Sequence, residues 1–294
     1  MNNRIFLFGT SGLLGSKIYR FAKDCTVYGS YNLRPGEGIK LDVLNFYEVE
    51  KVLDKIKPDV IINTCALSNV DYCEKNPKET KKTNIDFVKK LCRRDEKIVH
   101  ISSDLVFNDS KNTSYLETDE TDAINLYGQS KLDSEKIVQE NPNNLIVRAS
   151  VLYGWINNNL PSSSLKPNNF GKWLIDELNS EKKVRIVSDE LSTPILSNDC
   201  ARSIMHLINN DCTGIYHSAP KESYTRYDFA VKIAEEFDLN PKLITSVTTK
   251  ELGRDVKTIL NKCLNSDKLS NTGFKFQTVD NAIKEFKEEV FRCY

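Results

Sequence analysis

The chain has 294 residues, and its 41 basic side chains balance 41 acidic ones, so the composition writes in neither a polyanion-binding surface nor an acidic tail. Hydrophobic residues make up 39%, enough for the core of a larger α/β fold, and no apolar run is long enough to span a bilayer. Nucleic acid and membrane are therefore not expected as partners.

Residues 1–3 lead straight into an apolar run, which leaves no room for a secretory leader. Eight cysteines are scattered without a Cys-x-x-Cys pair, as expected of free thiols in the cytoplasm. His100, His206 and His217 stand apart from one another in or beside apolar segments, so structural roles and no metal site are expected.

Residues 4–8 read as a strand that passes through Gly9, Gly12 and Gly15 into a segment with helical apolar spacing. Such a strand, tight turn and helix N-terminus offers free N–H groups to an anion, and a pyrophosphate is the natural guest of Gly9, Ser11, Gly12, Leu13 and Gly15. A second strand over 26–30 ends without an acid. Ser30, Asn32 and Arg34 instead leave a neutral-to-basic pocket suited to a 2′-phosphate, which favours NADP(H) while leaving NAD(H) open. Arg34 also fits a solvated loop.

Residues 40–42 form a short third strand whose Asp42 could accept from an adenine amino group or lie at the N-cap of the helix over 46–56. The β-branched run over 59–64 is a buried parallel strand, and Asn63, Cys65 and Ala66 at its end leave space beside a cofactor. A long helix is predicted over 77–94. The strand over 97–103 turns polar at its carboxyl end, where open parallel sheets place their chemistry, making Ser102, Ser103 and Asp104 candidates.

A polar loop over 108–125 precedes a helix over 126–138 and a strand over 144–150. This alternation is that of a doubly wound parallel (Rossmann) sheet. From residue 154 the texture changes, with a loop signal over 157–164. We divide the chain into a nucleotide-binding domain over 1–154 and a smaller substrate-binding region over 155–294. Helices are predicted there over 169–178, 199–208, 227–237 and 279–291, and a strand over 214–218 that could return to the main sheet.

Tyr-x-x-x-Lys puts a phenol and an ammonium on one helix face, and the pattern occurs three times, as Tyr19/Lys23, Tyr47/Lys51 and Tyr127/Lys131. Position selects the last pair, on the helix that follows the Ser102–Ser103 strand end. Lowering a phenol by roughly three pKa units takes about 4 kcal/mol, which one ammonium at ~4 Å supplies in a dielectric of ~20. Tyr127 would then protonate a carbonyl oxygen as hydride arrives, with the Ser103 hydroxyl fixing that oxygen.

Residues 9–15, 63–66, 101–107, 115–120, 127–132, 148–154 and 189–194 together resemble the extended short-chain dehydrogenase/reductases, and within them the dTDP-4-dehydrorhamnose reductase group. The resemblance implies Ser103, Tyr127 and Lys131 as catalytic residues and an NADPH-dependent reduction of a nucleotide-linked 4-keto-6-deoxy sugar. It also implies substrate contacts at Asn169 and Thr193, and allows a homodimer. The family often carries a tryptophan at the position of Val151 and an Arg-Pro pair near Arg254, which is followed here by Asp255. Two other readings remain on the same scaffold: a nucleotide-sugar epimerase or dehydratase, and an NADP-binding regulatory subunit of a methionine adenosyltransferase.

Overall fold

The computed structural model describes residues 3–156, 169–253 and 256–292. The loop signal over 157–164 and the Arg254-Asp255 pair lie outside them.

The first half alternates strand and helix. β1 (Arg4–Phe8) leads to α1 (Leu13–Phe21), β2 (Thr26–Tyr31) and β3 (Ile39–Lys40), then α2 (Phe46–Ile56) and β4 (Val60–Asn63). α3 (Val70–Lys75), α4 (Pro77–Thr80) and α5 (Phe87–Leu91) follow, then β5 (Lys97–Ser103), α6 (Leu126–Gln139) and β6 (Leu145–Ala149).

The second half is more finely divided. It comprises β7 (Leu152–Tyr153), α7 (Phe170–Asn179), β8 (Val184–Val187), β9 (Leu191–Ser192), β10 (Ile195–Leu196), α8 (Ser197–Asn209) and β11 (Gly214–Ser218). β12 (Tyr224–Thr225), α9 (Arg226–Glu236), β13 (Ile244–Val247), α10 (Thr249–Leu252), β14 (Asn261–Lys262), α11 (Asp267–Ser270) and α12 (Val279–Arg292) complete it.

Seven strands form one sheet in the order β11-β6-β5-β4-β1-β2-β3. Every neighbouring pair is parallel, so the strand over 214–218 does return to the main sheet, beside β6. The chain winds outward from β1 to β3 and resumes on the other side at β4. The reversal opens a crevice at the carboxyl ends of β1 and β4, where such sheets bind ligands.

Side-chain alternation along the strands gives the sheet two apolar faces. Ile5, Leu7, Ile62, Val99 and Val147 pack with Ile18 of α1 and Ile204 and Leu207 of α8. Phe6, Phe8, Ile61 and Ile98 pack on the opposite side with Val49, Leu53, Phe87 and Leu91. A further core, built around Tyr153, Leu174, Phe229 and Phe286, joins α7, α9 and α12.

The core of the main sheet does not divide at residue 154, because α8 and β11 belong to it. A buried ion cluster ties the far end of the chain to its beginning. The Lys17 ammonium donates to both Glu289 oxygens at 2.9 Å, and Arg20 and Asn198 donate to the same carboxylate at 2.8 and 3.0 Å.

Two local expectations change. The helix predicted over 77–94 ends at Leu91 and carries a π-helical stretch, Lys81–Asp86, between α4 and α5. The cause lies in Asn84, whose amide is claimed from outside the helix: it accepts from Leu67 N at 2.9 Å and donates to Leu67 O and to Ser130 Oγ at 3.0 and 2.9 Å. Asp42 is not the N-cap of α2. Asn45 is, accepting from Glu48 N, while Asp42 accepts from Leu44 N at 3.0 Å in a local turn beyond β3.

Candidate active site

The site begins at the glycine turn. Gly9 has φ 91°, and a Cβ placed on Gly15 would stand 2.1 Å from Gly9 O, so only a glycine lets α1 start this close to β1. Gly12 caps α1 without a side-chain hydrogen bond, which leaves the N–H groups around Leu13 open to an anion. This cradle fits a dinucleotide pyrophosphate.

The turn is held from beneath by a residue the sequence reading missed. Thr10 Oγ1 donates to Ser30 O at 3.1 Å and to Glu37 O at 2.7 Å, while the N–H groups of Gly9 and Thr10 both donate to Ser30 O at 2.9 Å. Ser30 is thus buried and supports the turn through its backbone. The same bonds fold the loop carrying Asn32 and Arg34 onto the turn, and both side chains are half-buried there rather than solvated. A small polar residue between two turn glycines is the signal that marks Thr10.

Asn63 ends β4, buried, with its Oδ1 accepting from Cys65 N at 3.0 Å. Its Nδ2 is buried with no partner among the described residues, an orphaned donor at the crevice. Cys65 and Ala66 follow half-buried, and Cys65 Sγ lies 3.1 Å from where a Gly9 Cβ would stand, so the loop after β4 closes on the turn. Asp42 sits exposed at the outer end of this groove.

At the other end Ser103 closes β5 and Tyr127 opens α6. Asn125 caps that helix, accepting from Gly128 N at 2.9 Å. A Cβ on Gly128 would lie 2.1 Å from Leu105 O, so the glycine after the tyrosine is what lets the helix end pack against the Ser103 turn. Tyr127 is buried there, close enough to Ser103 for the serine hydroxyl to act on its phenol. Lys131, one turn further on and buried, donates to Ile101 O at 2.8 Å. Of the other tyrosines at this spacing, Tyr47 is exposed and Tyr19 packs against the sheet core.

One expectation about the chemistry needs correction. The Tyr127 hydroxyl is not brought down by Lys131: burial first, and the Asp104 carboxylate second, raise it above the usual phenol range, against a downward pull from the Ser103 hydroxyl. Ser103 donates to Asp104 Oδ1 at 2.9 Å and its Oγ accepts from Leu105 N at 3.2 Å.

Asp104 is fully enclosed. Its second oxygen accepts from Ser150 Oγ at 3.3 Å, and burial raises its carboxyl above the ordinary aspartate range despite the nearby Lys262 and the two serine hydroxyls. Lys262 is buried too, paired with Glu190 Oε2 at 2.6 Å. Ser150, Lys262 and Glu190 were not expected from the sequence, in which nothing local marks them. Ser102 is buried with no partner for its hydroxyl among the described residues.

The expected substrate-side residues serve the frame. Asn169 caps α7, and its amide accepts from Gly154 N at 3.2 Å and donates to Gly154 O at 2.9 Å. Thr193 Oγ1 accepts from Leu264 N at 3.3 Å. Val151 is half-buried, and its carbonyl accepts from Ile195 N at 3.0 Å.

All three histidines have structural partners. His100 Nε2 meets Ser134 Oγ at 2.9 Å, His206 Nε2 meets Thr272 Oγ1 at 2.9 Å, and His217 Nδ1 meets Asn265 O at 3.0 Å. No His, Cys, Asp and Glu grouping among the described residues could hold a metal ion, and no helix among them is long and apolar enough to cross a membrane.

Comparison with known proteins places this arrangement. The RmlD substrate binding domain profile matches residues 3–291. A protein of Haloferax volcanii named as a probable low-salt glycan biosynthesis reductase is 31% identical, with 88% of each chain covered. The dTDP-4-dehydrorhamnose reductase of Aggregatibacter actinomycetemcomitans is 27% identical over 90% of this chain and 92% of its own. The crystal structure of dTDP-4-dehydrorhamnose reductase from Bacillus anthracis in complex with NADP superposes with a TM-score of 0.87 at 26% identity, covering 98% of this chain and all of that one. With a glycine turn at one end of the crevice and a Ser-Tyr-Lys set at the other, the chain belongs to the RmlD substrate binding domain family of the extended short-chain dehydrogenase/reductases.

Proposed function

We propose that this protein is an NADPH-dependent reductase of a nucleotide-linked 4-keto-6-deoxy sugar, of the dTDP-4-dehydrorhamnose reductase type. The observation that carries the reading is Tyr127, a buried phenol held above its usual range beside Ser103, at the carboxyl rim of a parallel sheet whose glycine turn lies at the same rim. Gly9, Ser11, Gly12, Leu13 and Gly15 would receive the pyrophosphate, Asn32 and Arg34 the 2′-phosphate, and Asn63, Cys65, Ala66 and Lys131 the inner face of the cofactor. NADPH supplies the hydride when bound. Tyr127 gives its proton to the carbonyl oxygen, leaving the alcohol and a phenolate that regains a proton from solvent.

The two relatives named as reductases support this choice, one of them from glycan biosynthesis. The likeness to the reductase family also supports a homodimer, and the cysteines among the described residues, all free thiols, support a reducing, cytoplasmic setting. The test mixes purified protein, NADPH and dTDP-4-dehydrorhamnose and follows the absorbance of the reduced nicotinamide. Loss of absorbance with formation of the 4-hydroxy sugar is expected. Silence across several 4-keto nucleotide sugars defeats the reading, and copurified NAD with no net consumption turns it toward epimerisation or dehydration.

Arg34 gives a second expectation. Replacing it by Ala should weaken NADPH binding about tenfold and leave NADH nearly unchanged, since a charge-assisted bond to phosphate contributes about 1.5–3 kcal/mol and a half-exposed one stays at the low end. Fluorescence titration with both cofactors reads the ratio. Equal losses for the two would detach Arg34 from the 2′-phosphate.

A further inference from the structure

β4 stops short of its neighbour. Its last residue, Asn63, pairs in register with His100, while β5 runs on through Ile101 and Ser102 to Ser103. Ile61 and Ile98, two residues earlier on each strand, are register partners packed in one core with Phe87 and Leu91, and side chains two residues along a strand return to the same face. Asn63, His100 and Ser102 therefore share that face, at the notch beyond the end of β4. The contact of His100 with Ser134 of α6 agrees with this placement.

All three side chains are buried, and each holds a polar atom with no partner among the described residues: Nδ2 of Asn63, Nδ1 of His100 and Oγ of Ser102. The neighbouring bonds decide which of them gives a proton and which accepts one. Asn63 Oδ1 accepts from Cys65 N at 3.0 Å, so the amide cannot turn over and Nδ2 is a donor. Ser134 spends its one proton on Lys131 O at 2.8 Å, so its oxygen accepts from His100 at 2.9 Å. The His100 proton is then on Nε2, and Nδ1 is a bare lone pair. Burial first, and the Lys131 charge second, hold this imidazole well below its usual range, which keeps it neutral. A buried donor and a buried acceptor thus stand on neighbouring strands without bonding each other.

We infer that the notch is a binding site for a water molecule, which accepts from Asn63 Nδ2 and donates to His100 Nδ1, with the Ser102 hydroxyl beside it. A buried water is held by two to four polar groups of this kind, and leaving them unpaired in the interior is costly. Water is the occupant because the three residues are only 1%, 1% and 4% exposed, which shuts out anything larger. Asn63 Nδ2 carries two protons, so holding the water is compatible with its place beneath the cofactor.

Lys131 gives the position its importance. Its ammonium donates to Ile101 O at 2.8 Å, the carbonyl between His100 and Ser102, so the water lies at the foot of the lysine that faces the cofactor. The bonds that lead from His100 through Ser134 end on the Lys131 carbonyl, which has no proton to pass on. That branch conducts no proton, and the water is a fixed support beneath Lys131.

The inference is independent of the reductase reading, and its test uses the full-length protein without substrate. Long-range proton–nitrogen NMR should show His100 as the Nε2–H tautomer, neutral between about pH 5 and 8. A cross-relaxation peak should join the Asn63 side-chain amide to a bound water. A crystal structure with NADPH should place a water oxygen about 3 Å from both Asn63 Nδ2 and His100 Nδ1. His100→Leu, shown to fold by retained NADPH affinity, should lose the water peak at Asn63, and if that variant does not fold the wild-type measurements decide alone. An Nδ1–H tautomer, a direct bond between Asn63 and His100, or a water peak that survives His100→Leu at full intensity overturns the inference.

Discussion

Replacing Tyr127 by Phe should reduce turnover of a keto sugar by about 10²–10⁴-fold, the range over which a positioned proton donor contributes to a transition state. The substitution removes a single oxygen. Ser103 keeps its bonds to Asp104 and Leu105 N, and Asn125 still caps α6, so the helix end that carries residue 127 has no cause to move. Cofactor affinity should stay within a few-fold, because the glycine turn and Arg34 lie at the other end of the crevice. Stopped-flow absorbance gives the first quantity and fluorescence titration the second. Full activity would remove Tyr127 from the chemistry, and a parallel loss of NADPH binding would mean that it supports the cofactor instead.

The largest effect on stability is expected at Glu135. Its carboxylate receives Arg148 Nε at 2.9 Å and the second guanidinium nitrogen at 2.7 Å, both side chains being almost wholly buried between α6 and β6. Breaking such a pair from one side leaves a buried charge uncompensated, so Glu135→Ala should cost about 3–5 kcal/mol in denaturant unfolding. The loss should be smaller in the double variant with Arg148→Met, which removes the stranded charge. Equal losses in the single and double variants would mean that packing, not charge, sets the cost.

His217 sits beside the same guanidinium, and burial first, then Arg148, hold its imidazole down to about 3. Its folded value is below the unfolded value near 6.5, so the unfolded chain binds the proton more readily. The stability it contributes is present above about pH 6.5 and is lost as pH falls from there toward 3. His217→Gln should flatten that part of the stability profile.

How much of this was legible depends on the range of the interactions. The glycine turn, the polar end of β5 and the Tyr127/Lys131 spacing are local patterns, and each lies where the sequence placed it. β11 was recognisable as a strand by its own apolar run. The strand pair β8 and β13 was not, since Val184 to Val187 finds its partner at Ile244 to Val247 and neither segment carries a long enough period alone. Two-residue strands such as β9 and β14 have no period at all.

The proton chemistry was the least legible part. Tyr-x-x-x-Lys fixes a shared helix face, but whether the phenol rises or falls depends on burial and on Asp104, which reaches it through the fold and not through spacing. The π-helical stretch was hidden for a similar reason. Asn84 in mid-helix is a weak hint of a side chain with business elsewhere, and the partners that explain it, Leu67 and Ser130, lie 17 and 46 residues away.

The clamp between Lys17 and Glu289 bears on how this architecture can be recombined. The two residues are 272 positions apart, and both are buried. A chimaera that took the nucleotide-binding half from this chain and the remainder from a relative would bring α1 its packing partner α8 from a foreign source and leave Lys17 facing whatever the donor's last helix presents. Exchange of cofactor preference is therefore better attempted by grafting the short loop around Arg34, which Thr10 anchors to its own half, than by swapping halves.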